Sequence, residues 1–406
     1  MSSVATDQAD TSIRKRRIFI STGEVSGDLQ GALLIEALHQ VAAERGLDLE
    51  VYALGGERMA QAGAKLLGET TAIGSVGVFE AIPYILPTLR LQSRAQTLLQ
   101  ETPPDLAVLI DYMGPNLKIG QTLRQQFPGI PVVYYIAPQQ WVWAFSKKDT
   151  EQIVANSDRM VAIFQEEAKY FRGFGADVTW VGHPLVDRFS APADKEAARQ
   201  ALGIAPETSI ITLLPASRRQ ELRYLMPRLL KAAKLLQERD PELQFLVPVS
   251  SQRFQTVFET ALNQYGLRGR VITEQTQQAI AAADVAITKS GTANLEIALM
   301  NVPQVVAYRI NPISAWFLYY LLKFKISFAS PVNLAVNKAV VPEFLQWQLT
   351  PEALADAAWQ LLTDPTTRQT MLNGYQDVRQ ALGEPGVCRR AAAKILDCLT
   401  PTPVAP

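Results

Sequence analysis

Val285-Ala286-Ile287-Thr288-Lys289-Ser290-Gly291-Thr292-Ala293-Asn294-Leu295-Glu296 runs from an apolar stretch through a turn into the start of a helix. The run 285–288 predicts a strand buried on both faces, because parallel strands covered by helices read as unbroken apolar segments. Ser290-Gly291-Thr292 predicts the turn, and Glu296 falls one turn into the helix that follows. A strand feeding a helix through a short turn is the unit of a parallel α/β sheet. Backbone N–H groups at such a helix start can seat a diphosphate, and a carboxylate one turn in can accept ribose hydroxyls. The plainer alternative is a capping box, with Thr292 and Glu296 one residue off the ideal spacing.

The same unit recurs in both directions. Strands are expected at 17–22, 50–54, 106–111, 132–136, 159–163 and 178–181, then at 210–214, 244–249, 270–272, 285–288 and 304–307. Helices lie between them, such as 28–43, where Leu29, Ala32, Leu33, Ala37 and Val41 recur at helical spacing. The two series part within 182–208, which holds Pro184, Pro192 and Pro206. The expected fold class is therefore α/β, with two doubly wound, Rossmann-like domains facing a cleft. The expected limits are a flexible tail at 1–16, a first domain at 17–186, a second at 187–349, helices at 350–399 and a disordered tail at 400–406. Ligands of doubly wound sheets bind outside the carboxyl ends of the strands, so residues that directly follow strands carry the functional information.

Composition narrows the classes. The chain has 406 residues, 48% of them hydrophobic, enough for real cores in two domains. Its 39 Lys and Arg balance its 39 Asp and Glu, so no bulk basic field argues for nucleic acid. Cys388 and Cys398, the 2 cysteines, exclude a disulfide scaffold and a Cys-rich zinc site. His39 and His183, the 2 histidines, exclude a clustered-histidine metal site. Neither a signal peptide nor a transmembrane helix is expected. The stretch 73–86 is unusual: it carries one charge, Glu80, and is followed by Arg90 and Arg94. Val76, Val78, Phe79, Ile82, Ile85 and Leu86 make it either a lipid-facing surface or a strand and helix packed in the core. The run 313–322 is a second apolar candidate, as a core or an interfacial helix.

Five strand ends stand out. Gly23-Glu24-Val25-Ser26-Gly27-Asp28 leads from the first strand into a helix, as a seat for an anion or a sugar or as a turn capped by Ser26 or Asp28. Asp111 ends an apolar strand, placed for general-base work or for capping the next helix. Ala137-Pro138-Gln139-Gln140-Trp141-Val142-Trp143 offers aromatic rings for a sugar, an acyl chain or a domain edge. Pro215-Ala216-Ser217-Arg218-Arg219 sets a hydroxyl and two arginines before a helix, for phosphate binding or for a surface pair of Arg218 with Glu221. The fifth is the 288–296 segment quoted above. His183, in Val181-Gly182-His183-Pro184, reads as structural, with catalysis the lesser alternative.

Taken in order, Gly23-Glu24-Val25-Ser26-Gly27-Asp28, Val181-Gly182-His183-Pro184, Leu213-Leu214-Pro215-Ala216-Ser217-Arg218, Ser290-Gly291-Thr292-Ala293-Asn294-Leu295-Glu296 and Val341-Pro342-Glu343-Phe344-Leu345-Gln346 resemble the lipid-A-disaccharide synthase family over about residues 17–400. The resemblance implies a GT-B glycosyltransferase whose last helices cross back to the N-terminal domain. It implies inverting transfer of 2,3-diacylglucosamine from UDP to lipid X, the 1-phosphate acceptor, giving the β-1,6 disaccharide and UDP. It implies Asp111 as the catalytic base, with Gly23, Glu24, Ser26, Gly27 and Asp28 on the acceptor side. Ser217, Arg218, Ser290, Gly291, Thr292, Ala293, Glu296, Asn333 and Gln346 are implied for the donor. No metal or cofactor is expected, since no Asp-x-Asp signature occurs. A peripheral place on the cytoplasmic face of the inner membrane is implied, with a homodimer left open and nucleic acid excluded.

Three segments depart from the family pattern. Ala216 replaces a glycine, Ala144 stands where an arginine is usual, and Asn337-Lys338 replaces Gly-Arg after Pro331-Val332-Asn333. Two competing readings are a UDP-sugar epimerase of the same architecture and a non-catalytic nucleotide-sugar-binding protein. The apolar 73–86 stretch speaks against the first. The joint presence of Asp111, Arg218 and Glu296 speaks against the second.

Overall fold

The computed structural model describes residues 15–70, 85–143, 146–215, 219–249, 254–316 and 327–399. Seven strands form the first sheet: β1 (Arg16–Ser21), β2 (Leu49–Gly55), β3 (Lys65–Glu69), β4 (Leu106–Ile110), β5 (Val132–Tyr135), β6 (Arg159–Ala162) and β7 (Val178–Trp180). Their order is β3-β2-β1-β4-β5-β6-β7, and every pairing is parallel. Six strands form the second: β8 (Ile210–Leu214), β9 (Gln244–Pro248), β10 (Gly269–Ile272), β11 (Val285–Lys289), β12 (Gln304–Tyr308) and β13 (Glu343–Leu345). It too is parallel, in the order β10-β9-β8-β11-β12-β13. In each sheet the winding reverses beside the first strand, at β1/β4 and at β8/β11, and such reversals open the crevices where ligands bind.

The apolar runs became strands because both faces are covered. Ile18 and Ile20 of β1 and Leu106, Val108 and Ile110 of β4 enter one core, while Phe19, Ala107 and Leu109 enter the opposite one. Two short edge strands were not expected. β3 has a largely exposed Lys-Leu-Leu-Gly-Glu sequence with a register shift opposite Ala53/Leu54, and β13 has three residues.

The terminal helices divide between the sheets, which refines the expectation that 350–399 as a whole packs on the first. Pro351–Thr363 lies against the helix Arg219–Arg239 and against β11 and β12, and Pro365–Leu382 lies against Pro331–Val336. Val387–Leu396 packs on the first sheet's side, against the helix Val25–Glu44. The crossing is tight. The His183 N–H donates to the Leu382 carbonyl at 2.7 Å, and a Cβ at Gly182 (φ 94°) would lie 2.7 Å from that same oxygen. The Asp187 carboxylate accepts from the N–H groups of Gly386, Val387 and Cys388 at 2.6, 3.0 and 2.8 Å and so caps the last helix from another segment. Arg389 pairs with Glu44, and Arg45 with Asp397 at 3.0 Å.

Candidate active site

The carboxyl end of β4 is strained. Asp111 (φ 45°) and Tyr112 (φ 51°) are both left-handed, as is Ile136 (φ 58°) at the end of β5. Left-handed non-glycine residues cost roughly 1–3 kcal/mol each and persist only where surroundings enforce them. The enforcing contacts are specific. The Asp111 N–H donates to the Ile136 carbonyl at 2.9 Å, and the Asn116 amide donates to the Asp111 carbonyl at 2.8 Å. The next helix, Met113–Gln126, has Tyr112 at its N-cap, and the Tyr112 side chain makes no cap bond. Burial, and after it the Asp111 charge, hold the Tyr134 phenol well above its ordinary range, so the carboxylate sits close to the top of β5.

The β1 loop packs onto this corner. Gly23 lies against the Tyr112 ring, and Gly27 against the Thr22 hydroxyl. Burial raises the Tyr112 phenol, a bond with Thr88 lowers it and the Glu24 charge raises it, which places Glu24 near the same crevice. Ser26 sits half-buried in the first turn of the helix. Asp28 is occupied elsewhere. Its carboxylate accepts from the N–H groups of Gly56, Met59 and Arg58 at 2.8, 3.1 and 3.2 Å, capping the short helix Glu57–Gln61 after β2.

At the second reversal, the Ser290 hydroxyl donates to the Ala329 carbonyl at 2.6 Å, and the Gly291 N–H (φ 155°) donates to Asn294 Oδ1 at 2.9 Å. Thr292 and Ala293 begin the helix Ala293–Leu299, and Thr292 makes no side-chain cap bond, so the capping-box alternative fails. Glu296 is driven above the usual carboxylate range by burial, against the opposing charges of Arg188 and Arg58. Arg58 stands on the first sheet's side, so the two halves sense each other across the cleft. Asn333 and Gln346 bond within the protein. Asn333 donates to the Val341 carbonyl and to Glu343, and accepts from the N–H groups of Val340 and Val341. Gln346 (φ 50°) spends both amide atoms on the Ile310 backbone at 3.1 Å. These bonds shape the loops after β12 and before β13.

His183 is disfavoured as a proton carrier. It is buried, burial lowers its pKa to about 3, and its Nδ1 accepts from the Leu185 N–H at 3.3 Å. Trp141 packs on Phe164 with ring centroids 5.4 Å apart, a packing role at the domain edge. Sequence reasoning missed Glu167, whose buried carboxylate accepts from Ala137, Ile163 and Phe164 and ties the ends of β5 and β6 together. It also missed Asn116. Both act on partners that only the fold brings close.

Ser217 and Arg218 lie outside the described residues, as do Val76, Val78, Phe79 and Ile82 and the departures at Ala144 and Ala216. Ile85 opens the helix Ile85–Glu101, on which Leu86 is 66% and Leu89 53% exposed beside exposed Arg90 and Arg94. Ile313 and Trp316 are likewise exposed, at 68% and 57%. Among the described residues no helix is long and apolar enough to cross a membrane, and no cluster of three or more His, Cys, Asp or Glu side chains could hold a metal ion.

Comparison with known proteins identifies the family and the fold. The family described as lipid-A-disaccharide synthetase matches residues 18–396. A lipid-A-disaccharide synthase of Gloeothece citriformis is 52% identical, over 94% of this chain and 99% of its own length. One from Prochlorococcus marinus is 51% identical, over 94% and 98%. Among solved structures, the MnaA–UDP complex of S. aureus superposes with a TM-score of 0.65 at 15% identity, over 95% of this chain and 98% of that one. CalG4, the calicheamicin glycosyltransferase, superposes at 0.58 and 15%, over 97% and 100%. These two structural likenesses speak for the two-domain glycosyltransferase fold alone.

Proposed function

The chain belongs to the lipid-A-disaccharide synthase family, and on that footing we propose how its two sheets share the reaction. The activity is glycosyl transfer: UDP-2,3-diacylglucosamine and 2,3-diacylglucosamine 1-phosphate give the β-1,6 disaccharide 1-phosphate and UDP. The first half, to about residue 186, takes the acceptor, and the second, to about 349, takes the UDP-sugar. Asp111 removes the proton of the acceptor 6-hydroxyl as that oxygen attacks the anomeric carbon. The C–O bond to UDP breaks on the opposite face, and the configuration inverts. General-base assistance of this kind is worth ~10²–10⁴-fold.

The departing diphosphate needs positive charge or N–H donors. Arg218 and the turn Ser290–Ala293 supply them in this reading, and Glu296 accepts the ribose hydroxyls. Gly23, Glu24, Ser26 and Gly27 line the acceptor side. Asp28, Asn333 and Gln346 leave the list of ligand contacts and act as framework. The epimerase alternative loses its support, since the relatives at 51–52% identity are disaccharide synthases. We also propose that Leu86, Leu89, Arg90 and Arg94 rest on a membrane surface, continuing the apolar 73–86 stretch, because both substrates carry acyl chains.

The single observation that supports this division most is the left-handed Asp111 at the β1/β4 reversal, with Glu296 in the helix that follows β11 at the β8/β11 reversal. The test is to supply the purified chain with the UDP-sugar alone and with the acceptor added. Disaccharide phosphate and UDP appearing only with acceptor is the expected result. Conversion of the UDP-sugar to an epimer without acceptor would restore the alternative.

A further inference from the structure

We propose that Asn116 is a positioning residue for the transfer, clamping the two lips of the crevice at the β1/β4 reversal and fixing the backbone from which Asp111 projects. This rests on the assignment of Asp111 as the base. Asn116 is fully buried on the helix that follows Asp111. Its Nδ2 donates to the carbonyls of Asp111 at 2.8 Å, Ile110 at 3.0 Å and Ser21 at 3.3 Å. Its Oδ1 accepts from the Ser21 hydroxyl at 2.7 Å. An amide has two N–H donors and an acceptor oxygen, so both donors are engaged, the longest contact sharing a hydrogen, and the oxygen holds the Ser21 hydroxyl.

The need for it follows from the ladders. β1 and β4 pair last at Ser21 and Leu109. Above that pair, each strand end turns to its outer neighbour: the Thr22 N–H donates to Leu54 of β2 at 2.9 Å, and the Asp111 N–H to Ile136 beyond β5 at 2.9 Å. The crevice therefore opens between Ser21 and Ile110, and the Asn116 amide spans it. One lip leads into Gly23–Asp28, the other into Asp111 and Tyr112. A buried side chain with donors and an acceptor at this reach holds both loops in register and holds Asp111 in its left-handed conformation.

The test is a double-mutant cycle of Asn116→Ala with Asp111→Asn, read as kcat, KM and UDP affinity per folded molecule. Asn116→Ala is expected to lower kcat about tenfold or more with UDP affinity within about twofold of wild type, and to cost less than about twofold further in the Asp111→Asn background. Loss of melting temperature with kcat of the folded fraction unchanged would make Asn116 merely structural and overturn the proposal. Additive losses in the cycle would also overturn it, since Asn116 would then act elsewhere. Near-normal turnover of Asp111→Asn alone would instead remove the base assignment. Should Asn116→Ala not fold, Ser21→Ala deletes only one bond of the clamp. It is expected to lower kcat severalfold with the same lack of additivity, and unchanged kcat there would count against the clamp.

Discussion

The Cα of Gly23 rests on the ring of Tyr112: a Cβ at Gly23 would fall 2.2 Å from the ring carbons. The first strand's loop is thereby locked to the residue beside Asp111, and the glycine is needed for close approach, not for an unusual φ. Gly23→Ala should displace Tyr112 and with it Asp111. Overpacking of this kind costs ~1–3 kcal/mol. Turnover should fall about tenfold or more while UDP affinity holds. Steady-state kinetics with calorimetric UDP binding check this, and unaltered turnover would mean that the Tyr112 contact is idle.

Two buried groups oppose each other in the pH dependence of stability. His183 is lowered from 6.5 to about 3 by burial, so its contribution is full above 6.5 and drains as pH falls toward 3. Glu167 is raised by burial from 4.5 to about 7, so its contribution is full below 4.5 and drains as pH rises toward 7. Between 4.5 and 6.5 each acts with a slope on the order of 1.4 kcal/mol per pH unit, in opposite directions. His183→Gln should therefore stabilise relative to wild type on acidification, and Glu167→Gln should destabilise. Urea titrations across that window measure both slopes; equal slopes in the two variants would contradict the pairing.

Leu86→Glu with Leu89→Glu should lower co-sedimentation with anionic vesicles severalfold while circular dichroism stays unchanged, because both side chains are already exposed. Unchanged partitioning would move the lipid contact away from this helix.

Glu296→Ala should weaken UDP binding about tenfold and leave melting nearly unchanged, since the raised carboxyl pairs with ligand hydroxyls in this account. Activity should survive excess EDTA, because the diphosphate is met by Arg218 and backbone N–H groups. Abolition by chelation, reversed by a divalent cation, would require a metal in the donor site.

The long apolar strands were legible because a parallel strand buried on both faces leaves an unbroken run, as Leu106–Ile110 does. β3 escaped because Lys65 and Glu69 are exposed and Gly68 interrupts the run; β13 escaped because Glu343–Leu345 is too short to show a period. Asp111 could be found from its place at a strand tip. Asn116 could not, because its partner Ser21 lies 95 residues away and only the reversal of the sheet unites them. Asn333 and Gln346 add a further point: a motif does not say which bonds an amide makes to its own chain, and here Asn333 holds Val340 and Gln346 holds Ile310.

The most direct test of the account is turnover of Asp111→Asn, measured with both acyl substrates beside UDP affinity. The substitution keeps shape and removes the base. Turnover at least ~10²-fold below wild type, with UDP affinity near normal, is the expected result. Near-normal turnover in Asp111→Asn, with loss in His183→Ala, would contradict it and return the proton to the histidine.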